Sequence, residues 1–235
     1  MRWIPWLRLL FCLLLWTVSG NVAAAGKATE LNVDFAKGKW DASQWQPVRV
    51  PPQETPIALE QFEDSIGTTD FTEEQVKQQL DNAVLVHDTG LRDGEMTVTF
   101  TLGEKRGTAP GFLISPEIQD GVLVSGTAVF VTHGYYVAWD VATDREAKRT
   151  RYTHMGQIAR WTAPNTTHVI RLRFNRRGHL AVQVNDSDVM VFRNRRINGK
   201  VGVWGCHGPC RFYSLKLVPG GTLPWTIRKT EAKQR

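Results

Sequence analysis

Apolar side chains recur at every second position in several segments of this chain, and this pattern constrains the fold more than any other feature. In Met96–Leu102 an apolar residue stands at every second position, with threonines between them. The same period of two recurs in His168–Phe174 and in Leu180–Val184. Alternate side chains of a β-strand point to opposite faces, so this pattern predicts strands with one buried face.

The residues between these segments favour antiparallel connections. Asn175-Arg176-Arg177-Gly178 predicts a β-hairpin in which the glycine takes the position with positive φ. Further strands are predicted over 112–114, 122–131, 135–141, 189–192, 201–204 and 212–218. Strands at short spacing, without an alternating strand–helix rhythm, predict an all-β fold, an antiparallel β-sandwich or barrel.

One short inserted helix is predicted at the edge of this sandwich. Thr72-Glu73-Glu74-Gln75 fits a capping box, in which Thr72 and Gln75 satisfy free amide groups of the first helical turn. The segment 46–56 is rich in proline and polar residues and predicts an extended loop. His154 is predicted to lie in a polar loop, after a basic run over 145–151.

The strand predicted over 135–141 has two faces. The set predicted to face the core is Tyr135, Val137, Trp139 and Val141. The set predicted to point outward is Tyr136, Ala138 and Asp140. Trp161 is predicted to contribute to packing.

Residues 1–25 have the order of a secretory signal peptide. Arg2 and Arg8 precede a ten-residue apolar run, Leu9–Val18, and the small residues Ala23-Ala24-Ala25 follow. The alternative is an uncut membrane anchor, but a spanning helix needs roughly 20 residues. We therefore expect cleavage after Ala25, a secreted or periplasmic location and no later membrane span.

The mature chain is expected to contain one domain, 26–218, and a basic tail, 219–235. The formal net charge of +6 falls to +4 when Arg2 and Arg8 leave with a leader that contains no acidic residue. This mild surplus, in an extracytoplasmic compartment, does not indicate a nucleic-acid partner. The sequence does not determine the oligomeric state.

Cys206 and Cys210 are the two cysteines that remain after cleavage. They flank His207-Gly208-Pro209, and glycine and proline favour a tight turn that can bring the sulfurs together. In an oxidising compartment this predicts a local disulfide. The alternative is a metal site that combines His207 with the two thiols, although these ligands are too few for a closed zinc site.

A series of motifs runs through the last two thirds of the chain in a characteristic order. The motifs are Asp93-Gly94-Glu95, Gly134-Tyr135-Tyr136-Val137, the Ile170-Leu172-Phe174 strand, the Leu180 hairpin, Gly199-Lys200-Val201-Gly202-Val203-Trp204 and Phe212-Tyr213-Ser214-Leu215-Lys216-Leu217. This order, over roughly 32–218, resembles the concanavalin A-like lectin/glucanase superfamily. Within it, the chain looks most like the 3-keto-disaccharide hydrolase and laminin-G-like branches.

The resemblance implies a jelly-roll sandwich that binds a glycan on the concave outer face of one sheet. The chain departs from the family in the late hairpin, where Asn185-Asp186 stands in place of Asp-Gly. It also lacks the Glu-x-Asp-x-x-Glu pattern of laminarinase-type glycosidases, which argues against that retaining chemistry.

Side chains that point away from the core are the candidates for substrate binding. Sugar sites combine aromatic faces with planar polar groups. The candidates are Tyr136, Asp140, Arg171, Arg173 and Trp204. The alternatives are a Trp204 covered by the Cys206 turn or the N-terminal segment, and arginines that are simply solvated on an exposed sheet face.

His133, His154 and Glu117 are the candidates for catalysis. A lyase or hydrolase acting on keto-glycosides needs a base to remove a proton beside a carbonyl. Each of these residues has an ordinary surface role as its alternative. No cofactor is indicated, although a structural calcium ion could bind Asp41, Asp140 and Asp186.

Three functions remain open, in this order. A glycan-binding module predicts a shallow groove with exposed Trp204 or Tyr136 and no clustered acid and base. An enzyme acting on modified glycosides predicts that His133, His154 and Glu117 converge in a pocket. A laminin-G-like interaction module predicts no polar pocket and a flat apolar patch.

Overall fold

The computed structural model describes residues 30–193 and 195–220. The expected leader, its cleavage site and the tail beyond Gly220 lie outside these residues, so export stays a prediction. Within the described ranges, no helix combines the length and the apolar character needed to cross a membrane.

The described residues form fifteen β-strands, one α-helix and one short 3₁₀ turn. In chain order the strands are β1 (Leu31–Asp34), β2 (Gln46–Val48), β3 (Glu60–Gln61), β4 (Ile66–Thr68), β5 (Ala83–Asp88), β6 (Gly94–Leu102), β7 (Gly111–Gln119), β8 (Val122–Val131), β9 (Tyr135–Asp144), β10 (Arg149–Ala159), β11 (His168–Phe174), β12 (Leu180–Val184), β13 (Met190–Phe192), β14 (Lys200–Gly205) and β15 (Cys210–Pro219). The helix α1 spans Glu73–Lys77, and the 3₁₀ turn spans Ala42–Gln44.

The strands form two antiparallel sheets that pack face to face. The first sheet has the order β13-β12-β11-β6-β15-β4-β3, and β1 pairs with β15. The second sheet has the order β10-β9-β8-β7-β14-β5-β2. Along the described strands, the chain crosses between the sheets eight times, at β1–β2, β2–β3, β4–β5, β5–β6, β6–β7, β10–β11, β13–β14 and β14–β15. The predicted all-β antiparallel sandwich with a single short helix is confirmed.

The core between the sheets consists of the alternate side chains that the sequence pattern identified. Along β6, every second residue from Met96 to Leu102 is fully buried, and the threonines between them are half-buried. Phe100 lies at the centre of an aromatic group, with its ring 5.0 Å from Phe112, which in turn lies 5.9 Å from Phe212. Burial of these faces supplies the main driving force for folding.

The local signals at the helix and the first predicted hairpin are confirmed. Thr72 caps α1, and the Gln75 side chain completes the reciprocal capping box. Gly178 adopts φ +77° in the hairpin between β11 and β12. In contrast, the polar loop expected around His154 is wrong, since this region forms the eleven-residue strand β10.

The second sheet carries another apolar cluster on its outer face. Val203 points into the core between the sheets, whereas the next residue, Trp204, belongs to the outer cluster with Val84, Leu113 and Phe130. Strands β10 and β14 are four places apart, which corresponds to roughly 19 Å in a flat sheet. The rings of Tyr152 on β10 and Trp204 on β14 are nevertheless only 6.3 Å apart. The outer face of the second sheet is therefore concave.

Candidate functional site

A pocket of about 820 Å³ lies on this concave face, where β14 ends and β9 begins. Its volume is within the range of about 300–1,000 Å³ that is usual for small-ligand pockets. The residues that line it come from the segment between α1 and β5, the loop between β6 and β7, the end of β8, the start of β9, strand β10 with the segment after it, and the turn between β14 and β15. The pocket is therefore assembled from distant parts of the chain.

Four partly exposed aromatic side chains form the walls of the pocket, namely Tyr135, Trp139, Tyr152 and Trp161, and the buried Phe130 also lines it. Trp161 is 71% exposed, an unusual position for a tryptophan. Backbone hydrogen bonds hold the segment that carries it, because Thr162 N donates to His133 O (2.9 Å) and Arg160 N donates to Gly134 O (2.9 Å). These rings offer flat apolar faces to a ligand.

Trp204 is a buried support beneath this pocket. Its ring lies 5.0 Å from that of Phe130, and both pack across Gly111. A Cβ at Gly111 would approach the Phe130 ring to 2.6 Å, so only glycine allows this packing. The indole Nε1 donates a hydrogen bond to Asn82 Oδ1 at 3.0 Å, and Asn82 Nδ2 donates to Gln79 O at 3.0 Å.

Asp81 and His207 form a close pair at one side of the pocket. Asp81 Oδ2 lies 2.6 Å from His207 Nδ1, at ion-pair distance but without hydrogen-bond geometry. The same oxygen accepts a hydrogen bond from the backbone N–H of His207 at 3.0 Å. The Asp81 side chain is fully buried, whereas that of His207 is 44% exposed. Among the described residues, Asp81 Oδ1 has no hydrogen-bond partner.

Strand register explains why these two residues meet. Strands β5 and β14 are antiparallel, and Ala83 lies opposite Gly205. Two residues further, the same register brings Asp81 opposite His207. His207 adopts φ +64°, a conformation that costs energy for a residue with a Cβ. Asp81 and the hydrogen bond from Thr68 Oγ1 to Gly208 O (2.7 Å) hold this turn.

Cys206 and Cys210 are free thiols in this structure, so the predicted disulfide is not formed. Each sulfur has its own partner, because Cys206 S–H donates to Ala109 O (3.1 Å) and Cys210 Sγ lies 3.3 Å from Thr68 Oγ1. Burial raises the pKa of the Cys206 thiol and raises that of Cys210 to about 11. The alternative of a metal site formed by His207 and the two thiols also lacks support, since the described residues contain no group of three or more metal-binding side chains.

The reactivity of the two thiols tests this arrangement. In a chain that begins at Gly26, we expect both cysteines to resist iodoacetamide at neutral pH, because both are buried and only the thiolate reacts. Native labelling should rise only as the pH approaches the raised pKa of Cys210, about 11. After unfolding without reductant, mass spectrometry should find both cysteines labelled. An unfolded chain that labels only after reduction would contradict the free-thiol state.

The outward direction predicted for Tyr136 is wrong. Tyr136 and Ala138 are buried in the core between the sheets, whereas Val137 and Trp139 belong to the outer cluster. Both faces of β9 are apolar, so parity grouped its side chains correctly but could not identify the inner face. The Tyr136 hydroxyl contacts Ser187 Oγ (3.0 Å) and donates to Asp188 O, so this residue links β9 to the first sheet.

The other predicted binding residues do not form one site. Arg171 and Arg173 lie on the outer face of the first sheet, away from the pocket, and Arg173 pairs with Glu95. Asp140 accepts hydrogen bonds from Thr127 (3.4 Å) and Arg195 and does not line the pocket. Trp204 has the predicted outward direction, but it is fully covered and cannot contact a ligand directly.

The predicted catalytic residues do not converge either. His133 lines the pocket, and its Nε2 donates to Gly103 O at 2.8 Å. His154 packs outside the pocket lining, with its ring 5.2 Å from that of Trp139. Glu117 accepts hydrogen bonds from Ser125 (3.2 Å) and Arg196 (3.3 Å) and is not a pocket residue.

The aspartates considered for calcium are also separate. Asp41 caps the 3₁₀ turn, where it accepts hydrogen bonds from Ser43 N (3.0 Å) and Ser43 Oγ (2.6 Å). These hydrogen bonds lower the pKa of Asp41. In the part of the chain that the structure describes, the predicted set with Asp140 and Asp186 does not form a metal-binding group.

Comparisons with known proteins support the architecture. No family model and no curated protein sequence matches the chain. Among solved structures, a carbohydrate binding module from Bacillus subtilis superposes with a TM-score of 0.52 at 11% identity over 72% of this chain and 91% of its own. The Emp46p carbohydrate recognition domain gives a TM-score of 0.53 at 13% identity, with 77% and 90% coverage.

A structure described as a native glycosidic hydrolase matches with a TM-score of 0.55 at 10% identity, covering 84% of this chain and 99% of its own. These neighbours share one architecture with the two sheets described above. The chain has the concanavalin A-like jelly-roll fold. At such low identity the likeness concerns the fold alone, and the 3-keto-disaccharide hydrolase and laminin-G-like branches stay a resemblance of the sequence.

In this jelly-roll fold, the pocket residues that sequence patterns missed include Asp81, Tyr152, Trp139 and Trp161. Tyr152 lies on the strand that was not predicted, and both tryptophans were interpreted as packing residues. One feature of the sequence pointed to His207, because it lies in the turn between Cys206 and Cys210, which were predicted to come close together. Its partner could not be predicted, because it lies 126 positions earlier in the chain.

Proposed function

We propose that the pocket on the concave sheet binds a glycan. The observation that carries this proposal is the combination of four aromatic walls with polar groups on one side. Tyr135, Trp139, Tyr152 and Trp161 can stack on the apolar faces of sugar rings. His207, Arg106 and Gln79 line the same pocket and can exchange hydrogen bonds with sugar hydroxyls.

Two further observations favour this function over a laminin-G-like interaction module. Such a module predicts a flat apolar patch and no polar pocket, whereas this surface is concave and carries charged groups. The structural neighbours described as a carbohydrate binding module and a carbohydrate recognition domain add support at the level of the fold.

A glycan array followed by titration of the selected glycan tests this proposal. Trp161→Ala is expected to weaken binding by about tenfold or more, which corresponds to about 1.4 kcal/mol. The reason is that Trp161 offers the most exposed ring of the pocket and is not part of the buried core. Its urea unfolding midpoint should stay close to that of the unchanged chain.

Val191→Ala is the matched control. Val191 is 45% exposed, but it lies on β13 of the first sheet and does not line the pocket. This variant should bind the glycan with unchanged affinity. Equal affinity of the Trp161 variant and the unchanged chain, or an array without any bound glycan, would refute the proposed site.

A further inference from the structure

We infer that Asp81 and His207 form the acid–base centre of a lyase that cleaves uronate-containing glycans in this pocket by β-elimination. The inference rests on the proposed glycan binding and adds a reaction and a substrate class to it. His207 is the catalytic base in this scheme, and Asp81 is a positioning residue.

The geometry of the pair suits a base directed towards the pocket. His207 Nδ1 faces the buried Asp81 carboxylate at 2.6 Å, which leaves Nε2 as the ring nitrogen available to a ligand. Among the described residues, Nε2 has no hydrogen-bond partner, and the ring is 44% exposed. The Asp81 carboxylate beside Nδ1 can hold the ring with Nε2 directed towards a ligand. Catalytic contacts in an unliganded site are often imperfectly aligned.

The carboxyl content of the pocket argues against ordinary glycoside hydrolysis. Retaining and inverting glycosidases use two carboxyl groups on either side of the scissile bond. In the described pocket lining, Asp81 is the sole carboxyl group, and it is buried behind His207. A site with one imidazole base suits removal of a proton from carbon instead. In a glycan, the carbon next to a uronate carboxylate carries such an acidified hydrogen.

Arg106 supplies the charge that a uronate requires. It is the sole arginine or lysine of the described pocket lining, and it has no ion pair among the described residues. A guanidinium binds a carboxylate through two parallel hydrogen bonds. It would also stabilise the negative charge that develops on this carboxylate when the neighbouring carbon loses its proton.

Tyr152 can serve as the acid. Burial around its hydroxyl, together with the nearby Cys206 and Asp81, raises the pKa of Tyr152, so this group stays protonated at neutral pH. It lines the same pocket, and the structure shows no hydrogen bond from its hydroxyl to another described residue. Cys206 is a poor alternative because burial raises the pKa of its thiol as well.

The reaction balances without an oxidant or a reductant. His207 Nε2 accepts the proton from the carbon that bears the carboxylate. The electron pair of that C–H bond forms a double bond to the adjacent ring carbon, whose bond to the glycosidic oxygen breaks. Tyr152 donates a proton to the departing oxygen, and transfer of a proton from His207 back to Tyr152 through water restores both groups. The products are a new chain end and an unsaturated uronate.

The test uses polygalacturonate, alginate and hyaluronan as probes, with a neutral glucan as the comparison. Elimination creates a double bond conjugated to the carboxylate, which absorbs in the ultraviolet, whereas hydrolysis does not. The unchanged chain should raise this absorbance with at least one uronate polymer and not with the glucan. His207→Gln should reduce the rate by about 100-fold or more while binding of that polymer is retained.

Asp81→Asn tests the positioning role. The kcat should fall while the KM for the polymer changes little, because the His207 ring loses the carboxylate that positions it, whereas the aromatic walls that bind the polymer are unchanged. His179→Gln is the matched control, since His179 lies outside the pocket in the turn before β12. Its rate should equal that of the unchanged chain.

The outcomes separate this inference from the proposed function. Polymer binding without any rise in absorbance, or new reducing ends without absorbance, overturns the lyase inference and leaves glycan binding intact. A His207→Gln variant with full activity also overturns it. Failure to bind any glycan overturns the proposed function itself.

Discussion

Trp204→Ala is expected to lower the free energy of unfolding by about 3–5 kcal/mol and to abolish ligand binding in the pocket. Trp204 is fully buried and supports both Phe130, at 5.0 Å between ring centroids, and Tyr152, at 6.3 Å. Removing the indole leaves a large cavity beneath the pocket and also leaves Asn82 Oδ1 without its donor. Urea denaturation and glycan titration measure the two effects.

Trp204→Phe separates packing from hydrogen bonding. It retains an aromatic ring but lacks the N–H group that reaches Asn82, so we expect a smaller loss of about 1–3 kcal/mol. Binding should weaken less than in the alanine variant. If Trp204→Ala unfolds at the same urea concentration as the unchanged chain, Trp204 does not support the pocket as described.

Phe100→Ala is expected to destabilise the sandwich by about 3–5 kcal/mol. Phe100 lies on β6 in the middle of the first sheet and packs against Phe112 of the second sheet at 5.0 Å. A cavity at this position removes contacts between the two layers, and the surrounding strands cannot close it. The expected result is a lower urea midpoint with an unchanged slope.

Thr99→Ala is the control for Phe100→Ala. Thr99 is the preceding residue of the same strand, but its side chain points to the outer face and is half-buried. Its effect should stay within about 0.5 kcal/mol. Equal losses in the two variants would mean that the inner face of β6 is not the core of the protein.

Strands with one apolar and one polar face could be predicted from the sequence, and β6 and β11 show why. Burial of one face imposes a period of two, which is a local property of the chain. Strand β10 could not be predicted, because it lies at the edge of its sheet and most of its side chains are exposed. Without a buried face, no alternation marks it. Because this strand was not predicted, Tyr152 was not identified as a candidate pocket residue.

Strand β9 illustrates a different limit. Its two faces both pack against apolar clusters, so the alternation separates Tyr136 from Trp139 without showing which one enters the core. The outer face of β9 is apolar because it belongs to the cluster on the concave surface, and this curvature is a property of the whole sheet. Because the inner face of β9 was assigned wrongly, the pocket residues Tyr135 and Trp139 were predicted to lie in the core.

The sequence by itself determined the all-β class, the capped helix, the hairpin glycine and the buried alternate residues of the central strands, because each depends on near neighbours in the chain. The tertiary structure alone decided where a ligand can bind. Asp81 and His207 are adjacent because β5 and β14 pair in one register, and Tyr152 reaches Trp204 because the sheet curves. Register and curvature depend on all the strands together, so no local pattern of residues specifies them.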